Sequence, residues 1–434
     1  MAPASPGPDS PADKAGQVFA YFTPLTFLIY LATPSGYLLD IGSSYLLKNQ
    51  LHASATQVAT FRLLTGVPLY FSFVFGLTRD VWSPFGLRDR GYFLLFSAVT
   101  AAVYFWLAFS AVSYASVFTG MLLAMLSYRF ITAAYQGLLA LVGQEDLMSG
   151  RLSALWNIVG TLPSVAGGLW AGYLAVHLRP GETFLIMGLL SIVLGLFGLW
   201  KQRAVFSHAY DQPLARGSTF VGDIKRLLRH RAAYPAVLAM FLFSFSPGSN
   251  TPLQFYLSND LHGSDAIYGY YYAIFSGAFI PMFFVYGYLC KRMSLSKLLW
   301  WGTIITIPQM LPLALIHSAN LALIMAAPSG LMGGIATAAY YDLAMRACPP
   351  GLQGTLMMMV EGVYQLSYRG GDIVGAWIYN ASPAHGFLNC TIATTAVYAL
   401  ILPVLLLIPR ELIATSDGQP NPVVDAEILA ESTT

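Results

Sequence analysis

The chain has 434 residues, of which 56% are hydrophobic and 10% charged, against roughly a quarter charged in a soluble globular protein. So few charges exclude a water-soluble surface, and a net charge of +2 gives no footing for nucleic acid. Apolar runs long enough to cross about 30 Å of hydrocarbon recur along the chain, which reads as an all-α membrane protein.

The opening MAPASPGPDSPADKAG has no basic region leading into a short apolar core, so residues 1–17 are expected to be a disordered cytoplasmic tail and not a cleaved signal. About twelve spans are predicted after it. They lie at 18–46, 57–78, 92–112, 116–141, 152–177, 183–200, 233–257, 266–290, 296–316, 320–346, 353–379 and 386–408. The first contains Pro24, Pro34 and Gly36, and the seventh reads FSFSPGSNTPLQF, with Pro247, Gly248 and Pro252. Broken backbone at membrane depth survives only where protein or a water-lined cavity satisfies it, so these two helices are expected to wall a cavity.

Alternate loops carry Arg79, Arg88, Arg90, Arg151, Lys201, Arg203, Arg216, Lys225, Arg226, Arg229, Arg231, Lys291, Arg292, Lys297, Arg346 and Arg410, while the opposite loops offer little beyond Lys48 and Arg179. The positive-inside rule then puts both termini and the 201–232 linker in the cytoplasm, with KRLLRHR at 225–231 as an anchor. The expected organisation is a bundle at 18–200, the linker, a second bundle at 233–409 and a tail at 410–434. An internal repeat supports two halves: LKNQLHAS at 47–54 and LSNDLHGS at 257–264 share Leu, Asn, Leu, His and Ser at an offset of 210. One helix later, GLTRD at 76–80 and GYLCKR at 287–292 each place a glycine before a cluster of polar and charged residues.

The loop GLTRDVWSPFGLRDRGY, with Gly76, Asp80, Gly86, Arg88 and Arg90, resembles the signature of the major facilitator superfamily. YLLKNQL, TGVPLYFSFVFGLTRDVWSPFGLRDRGY and ACPPGLQGTL resemble the folate and biopterin transporter family within it. The resemblance implies two pseudo-symmetric six-helix bundles that rock around a central site, and transport in place of catalysis. The fourth span differs from that family, reading FITAAYQGLLALVGQE with Tyr135 and Gln136 where acidic residues are usual.

The segment EGVYQLSYRGGD at 361–372 places three ionisable groups inside a predicted span. Eleven residues at about 100° each bring Glu361 and Asp372 to nearly one helix face. A charge at the bilayer centre costs at least about 2.5 to 3.5 kcal/mol, so such residues are expected to face a polar interior. Glu361 and Asp372 are the candidates for proton coupling. Arg129 and Arg369 are expected to pair with an anionic substrate, helped by Tyr135, Gln136, Asn157, Asn250, Gln254 and Gln365. Asp40, Arg62, Asp80, Arg88, Arg90, Asp342 and Arg346 are the candidate gating residues. Tyr340, Tyr341, Tyr364 and Tyr368 read as core packing.

Cys290, Cys348 and Cys390 are scattered, and no nucleophile triad, phosphate loop or metal-ligand cluster can be assembled, so no enzyme activity, cofactor or metal is expected. The expected function is secondary transport of a small polar or anionic solute, which the resemblance implies is folate-like or pterin-like, coupled to H+ by a monomer in the cell's inner or plasma membrane. The alternatives are a permease for sugars or cell-wall fragments and a non-transporting receptor.

Overall fold

The computed structural model describes residues 11–36, 39, 46–47, 51–206, 220–263, 267–382 and 385–419, so Asp40 lies outside the described residues. Among these residues there are helices and turns and no strand. The first span is Pro11–Leu31; the second runs through Ala55–Thr65, Val67–Tyr70 and Ser72–Val81; the third to sixth are Asp89–Phe109, Tyr114–Glu145, Ser149–His177 and Pro180–Leu196. A linker helix, Phe220–Arg229, precedes the broken seventh span, Ala233–Ser244 and Thr251–Phe255. The eighth is Ile267–Leu289, the ninth Leu295–Thr306 with Leu311–Ala314, the tenth Ala319–Arg346, the eleventh Gln353–Ala381, and the twelfth Gly386–Ala399 with Ile401–Leu405. A short helix, Arg410–Ile413, follows.

These spans form two six-helix bundles that meet along two seams, the second span against the eleventh and the fifth against the eighth. Among the described residues, five helical units are long and apolar enough to cross a membrane: Asp89–Phe109, Tyr114–Glu145, Ile267–Leu289, Ala319–Arg346 and Gly386–Leu405. The first helix begins at Pro11, ahead of the expected 18, because proline suits a first turn, Asp13 favours that terminus, and Lys14 Nζ lies 2.5 Å from Asp146 Oδ1.

The sequence repeat has a structural counterpart. The Leu51 and Ala53 amides donate to the Leu46 and Leu47 carbonyls (3.1 and 2.9 Å), and the Leu261 and Gly263 amides donate to the Tyr256 and Leu257 carbonyls (3.0 and 2.9 Å). Between them His52 and His262 both take the left-handed conformation, at φ 47° and 51°. An offset of 210 therefore carries one helix end onto the other, strained residue included.

Close approach at the bend of the seventh span depends on glycine. The Gly248 amide is satisfied by Thr394 Oγ1 (2.9 Å), and a methyl group on Gly375 would run into the Pro247 carbonyl oxygen. Because that obstacle is backbone, Gly375→Ala is expected to cost about 1 to 3 kcal/mol, read as a lower melting temperature in detergent. An unchanged melting temperature would mean that the bend yields freely.

Candidate functional site: a central cavity above a closed gate

A cavity of about 300 Å³ lies between the bundles. The first bundle gives Tyr30, Trp156, Asn157 and Thr161, and the bend of the seventh span gives Ser246, Ser249 and Asn250. Tyr271, Gln309, Thr337, Tyr341, Tyr364 and Tyr368 face them from the other side. The walls are aromatic: the rings of Trp156 and Tyr341 are 4.5 Å apart, and Trp156 Nε1, on the fifth span, donates to Tyr30 Oη on the first. Polar groups sit between the rings. Tyr368 Oη donates to Asn250 Oδ1 (2.6 Å), which leaves Asn250 Nδ2 buried without a protein acceptor among the described residues, as is Tyr271 Oη. Buried polar atoms of this kind are normally paired, so they are suited to a polar ligand.

Among the described residues no charged side chain lines the cavity, but two lie close beneath its walls. Arg129 is 4% exposed, and its Nε and Nη1 have no acceptor among the described residues. Its charge and that of Glu361 act on each other and on Tyr30, and Glu361 also acts on Tyr341 and Tyr364. Gln365 Nε2 donates to Glu361 Oε1 (3.1 Å).

Of the other expected binding residues, Asn157 and Asn250 line the cavity. Tyr135 and Gln136 are buried in the fourth span; Tyr135 shares a hydrogen bond with Thr26 Oγ1 (2.7 Å) and packs edge-on to Trp156. Gln254 is exposed, and Arg369 is exposed over the Tyr368 ring, 6.0 Å from its centroid. Asp372 accepts from the Thr251 amide (2.8 Å) and hydroxyl (3.0 Å), which caps the resumed half of the seventh span. Tyr340 is core, bonded to Thr303 Oγ1 (2.7 Å), but Tyr341, Tyr364 and Tyr368 reach the cavity, contrary to a packing role for all four. The spacing of four between Tyr364 and Tyr368, beside Glu361, was the available signal.

Hydrogen bonds joining the two bundles gather at the end where the linker helix lies, and this linker end is closed. The linker helix itself is fastened there, Arg226 donating to the Pro350 carbonyl and His230 Nε2 lying 3.0 Å from the Ala347 carbonyl. Asp80, buried at the end of the second span, accepts from the Gly354 amide (3.2 Å) and from the Thr355 amide and hydroxyl (2.7 and 2.6 Å). A carboxylate thus sits at the positive N-terminus of the eleventh helix. Arg79 holds Asp80 (2.8 Å) and Asp89 (2.5 and 2.6 Å) together. Gly76 makes the approach possible, since a methyl there would strike the Gly354 carbonyl.

Other contacts reinforce this closure. Gln144 Nε2 donates to the Met345 and Cys348 carbonyls (3.0 and 2.8 Å), and Gln353 Nε2 donates to Gln144 Oε1 (3.0 Å). Arg346 pairs with Asp342 (2.9 Å) and reaches Ser149 Oγ (3.2 Å) in the other bundle. Arg90 instead holds its own bundle, donating to the Gly198 carbonyl (2.9 Å), and Arg88 sits in a left-handed turn at φ 48° with its amide on Ser83 Oγ (2.7 Å). Arg62 is exposed on Ala55–Thr65; its expected partner Asp40 is outside the described residues.

Comparison with known proteins agrees with this geometry. The family model for the Major Facilitator Superfamily matches residues 20–369. The chain is 19% identical over 370 residues to "Folate transporter 2" of Plasmodium falciparum, covering 82% of this chain and 80% of that one. It is 23% identical over 391 residues to the "Folate-biopterin transporter" of Synechocystis, covering 84% and 77%. Among solved structures it resembles FucP in the outward conformation, with a TM-score of 0.66 and 16% identity, over 90% of this chain and 98% of that one.

Proposed function

The chain belongs to the major facilitator superfamily, and from that premise we propose that it carries a small, polar, ring-shaped solute of the pterin class across the membrane, coupled to protons. It is a multi-pass integral membrane transporter, and alternating access follows from two bundles around one cavity. The observation that carries the substrate reading is the cavity wall itself, where aromatic faces alternate with uncharged amides and hydroxyls. A planar heterobicycle can lie against the aromatic wall that Tyr30, Trp156 and Tyr341 build while its polar edge meets Asn250, Asn157 or Gln309. A volume of about 300 Å³ is at the lower end of ligand sites, which favours a bare pterin over a larger conjugate. The names of the two relatives support the same class.

The basic-loop asymmetry supports placing the linker end in the cytoplasm, so the closed gate corresponds to a cavity that communicates with the outside. Glu361 is the proposed proton carrier, because it is an acid beneath the cavity wall, where it accepts from Gln365 Nε2 (3.1 Å). The same neutral amides and hydroxyls would also suit a monosaccharide. Proteoliposomes with an imposed pH gradient separate the two: labelled pterin is expected to accumulate and L-fucose to compete poorly. Accumulation of fucose without pterin would transfer the assignment to sugars, and accumulation of neither would overturn the cavity-based reading.

A further inference from the structure

We propose that Asp417, beyond the last span, is the second acid of the linker-end gate, supplied by the C-terminal segment in place of an acid that the second half of the repeat lacks at Cys290. The offset of 210 that superposes His52 on His262 also carries Asp80 to Cys290. The two residues occupy matching places. A Cβ built on Gly354, in the first turn of the eleventh helix, would lie 2.8 Å from Asp80 Oδ1; one built on Gly150, in the first turn of the fifth, would lie 2.9 Å from Cys290 Cβ, 3.1 Å from its sulfur and 3.0 Å from Asp342 Oδ2, whose carboxylate is taken up by Tyr286 and Arg346 of its own bundle. Each seam therefore presses a helix N-terminus against the end of a span from the other bundle. At the first seam an acid is present. At the second, the span contributes a buried neutral thiol, a weak acceptor that cannot satisfy amides as a carboxylate does.

Asp417 fills that place. Its Oδ1 accepts from the Gly150 amide (3.0 Å) and its Oδ2 from Arg151 Nε (2.5 Å), while its own amide donates to the Cys290 carbonyl (2.9 Å). Its side chain is fully enclosed, and the Gly418 amide adds a bond to the Leu147 carbonyl (2.7 Å). Burial, with the Asp342 charge nearby, pushes the Asp417 carboxyl above its usual range against the pull of Arg151. The segment is anchored to the second bundle: Leu412 and Ile413 are buried, Arg346 Nη1 donates to the Thr415 carbonyl (2.9 Å), and so does the Leu295 amide (3.3 Å). It must therefore leave Gly150 and Arg151 when the bundles part at this end. The arrangement is reciprocal, Asp80 reaching from the first bundle to the eleventh helix and Asp417 from the second to the fifth.

The test uses the full-length protein in proteoliposomes and reads modification of Cys348 by N-ethylmaleimide, mapped by peptide mass. Cys348 is 1% exposed and its carbonyl is held by Gln144 across the gate, so its reaction reports opening without reference to any substrate. Asp417→Asn is expected to raise the modification rate about ten-fold, the factor for losing one charge-assisted contact. Adding Cys290→Asp to Asp417→Asn places the acid on the span itself and is expected to return the rate to within about two-fold of the parent. An unchanged rate in Asp417→Asn, or a raised rate that Cys290→Asp leaves raised, overturns the proposal. Should Asp417→Asn not fold, recovery of folded protein by Cys290→Asp supports it and continued failure overturns it.

Discussion

Asp80→Asn is expected to cut initial uptake about ten-fold or more and to raise linker-end accessibility in parallel. The parent carboxylate accepts three bonds from the first turn of the eleventh helix and one from Arg79, with 1% of its side chain exposed. Bonds to a charged group contribute about 1.5 to 3 kcal/mol each, and a loss of about 1.4 kcal/mol already shifts a two-state equilibrium ten-fold. Asparagine keeps one acceptor but turns an amide donor toward Arg79 or the helix N–H groups, so at least one contact becomes repulsive. The closed state is weakened while the open state, which lacks these contacts, is not. Asp80→Glu retains the charge on a longer arm that the Gly76 and Gly354 approach leaves little room for, and it should recover only part of the rate. Initial-rate uptake and Cys348 modification together are decisive: parent values for both in Asp80→Asn would remove Asp80 from the gate.

Arg129→Gln is expected to lower stability more than Arg129→Gln combined with Glu361→Gln does. Arg129 and Glu361 are opposite charges beneath an uncharged cavity wall, and the guanidinium keeps two nitrogens without an acceptor among the described residues. Removing one of two opposite charges that act on each other leaves the other without that attraction, whereas neutralising both leaves no unmatched charge. Glu361→Gln alone should abolish accumulation driven by a pH gradient while substrate exchange persists, because exchange needs the cavity but not a net proton movement. Melting temperatures of the three variants, with counterflow and gradient-driven uptake, check this. If the double variant melts no higher than Arg129→Gln, the two charges are not coupled. If Glu361→Gln still concentrates substrate with the parent's pH dependence, the proton travels by another group.

Some of the site was legible because its chemistry was out of place. Asp80 stood out through the resemblance of GLTRDVWSPFGLRDRGY to the superfamily signature, and Asn250 as an amide in a span broken by Pro247 and Pro252; the structure puts the first at a helix N-terminus and the second in the cavity wall. Arg369 looked like an anion site for the same reason, yet it is exposed above Tyr368. Which face of a helix turns inward is set by small residues along it, and on the eleventh helix Gly362, Gly371 and Gly375 take the buried side. Asp372 was legible as an intramembrane acid but not as a cap, because its partner Thr251 is 121 residues away.

By itself the sequence determined the solvent of this protein, the number of crossings and the two-fold repeat. Those properties sum along the chain: hydrocarbon accepts a helix according to the local count of apolar residues, and a duplicated half keeps its register wherever it folds. Tertiary structure alone decided that Tyr341, Tyr364 and Tyr368 face a cavity, that Trp156 packs at a tilt against Tyr341 of the other bundle, and that Asp417 reaches Gly150. These pairs lie far apart in sequence and depend on the rotation of each helix about its axis, which is fixed by backbone contact at glycines such as Gly76 against Gly354. A rotation of one residue, about 100°, would present a different set of side chains to the same cavity without changing the composition of any span.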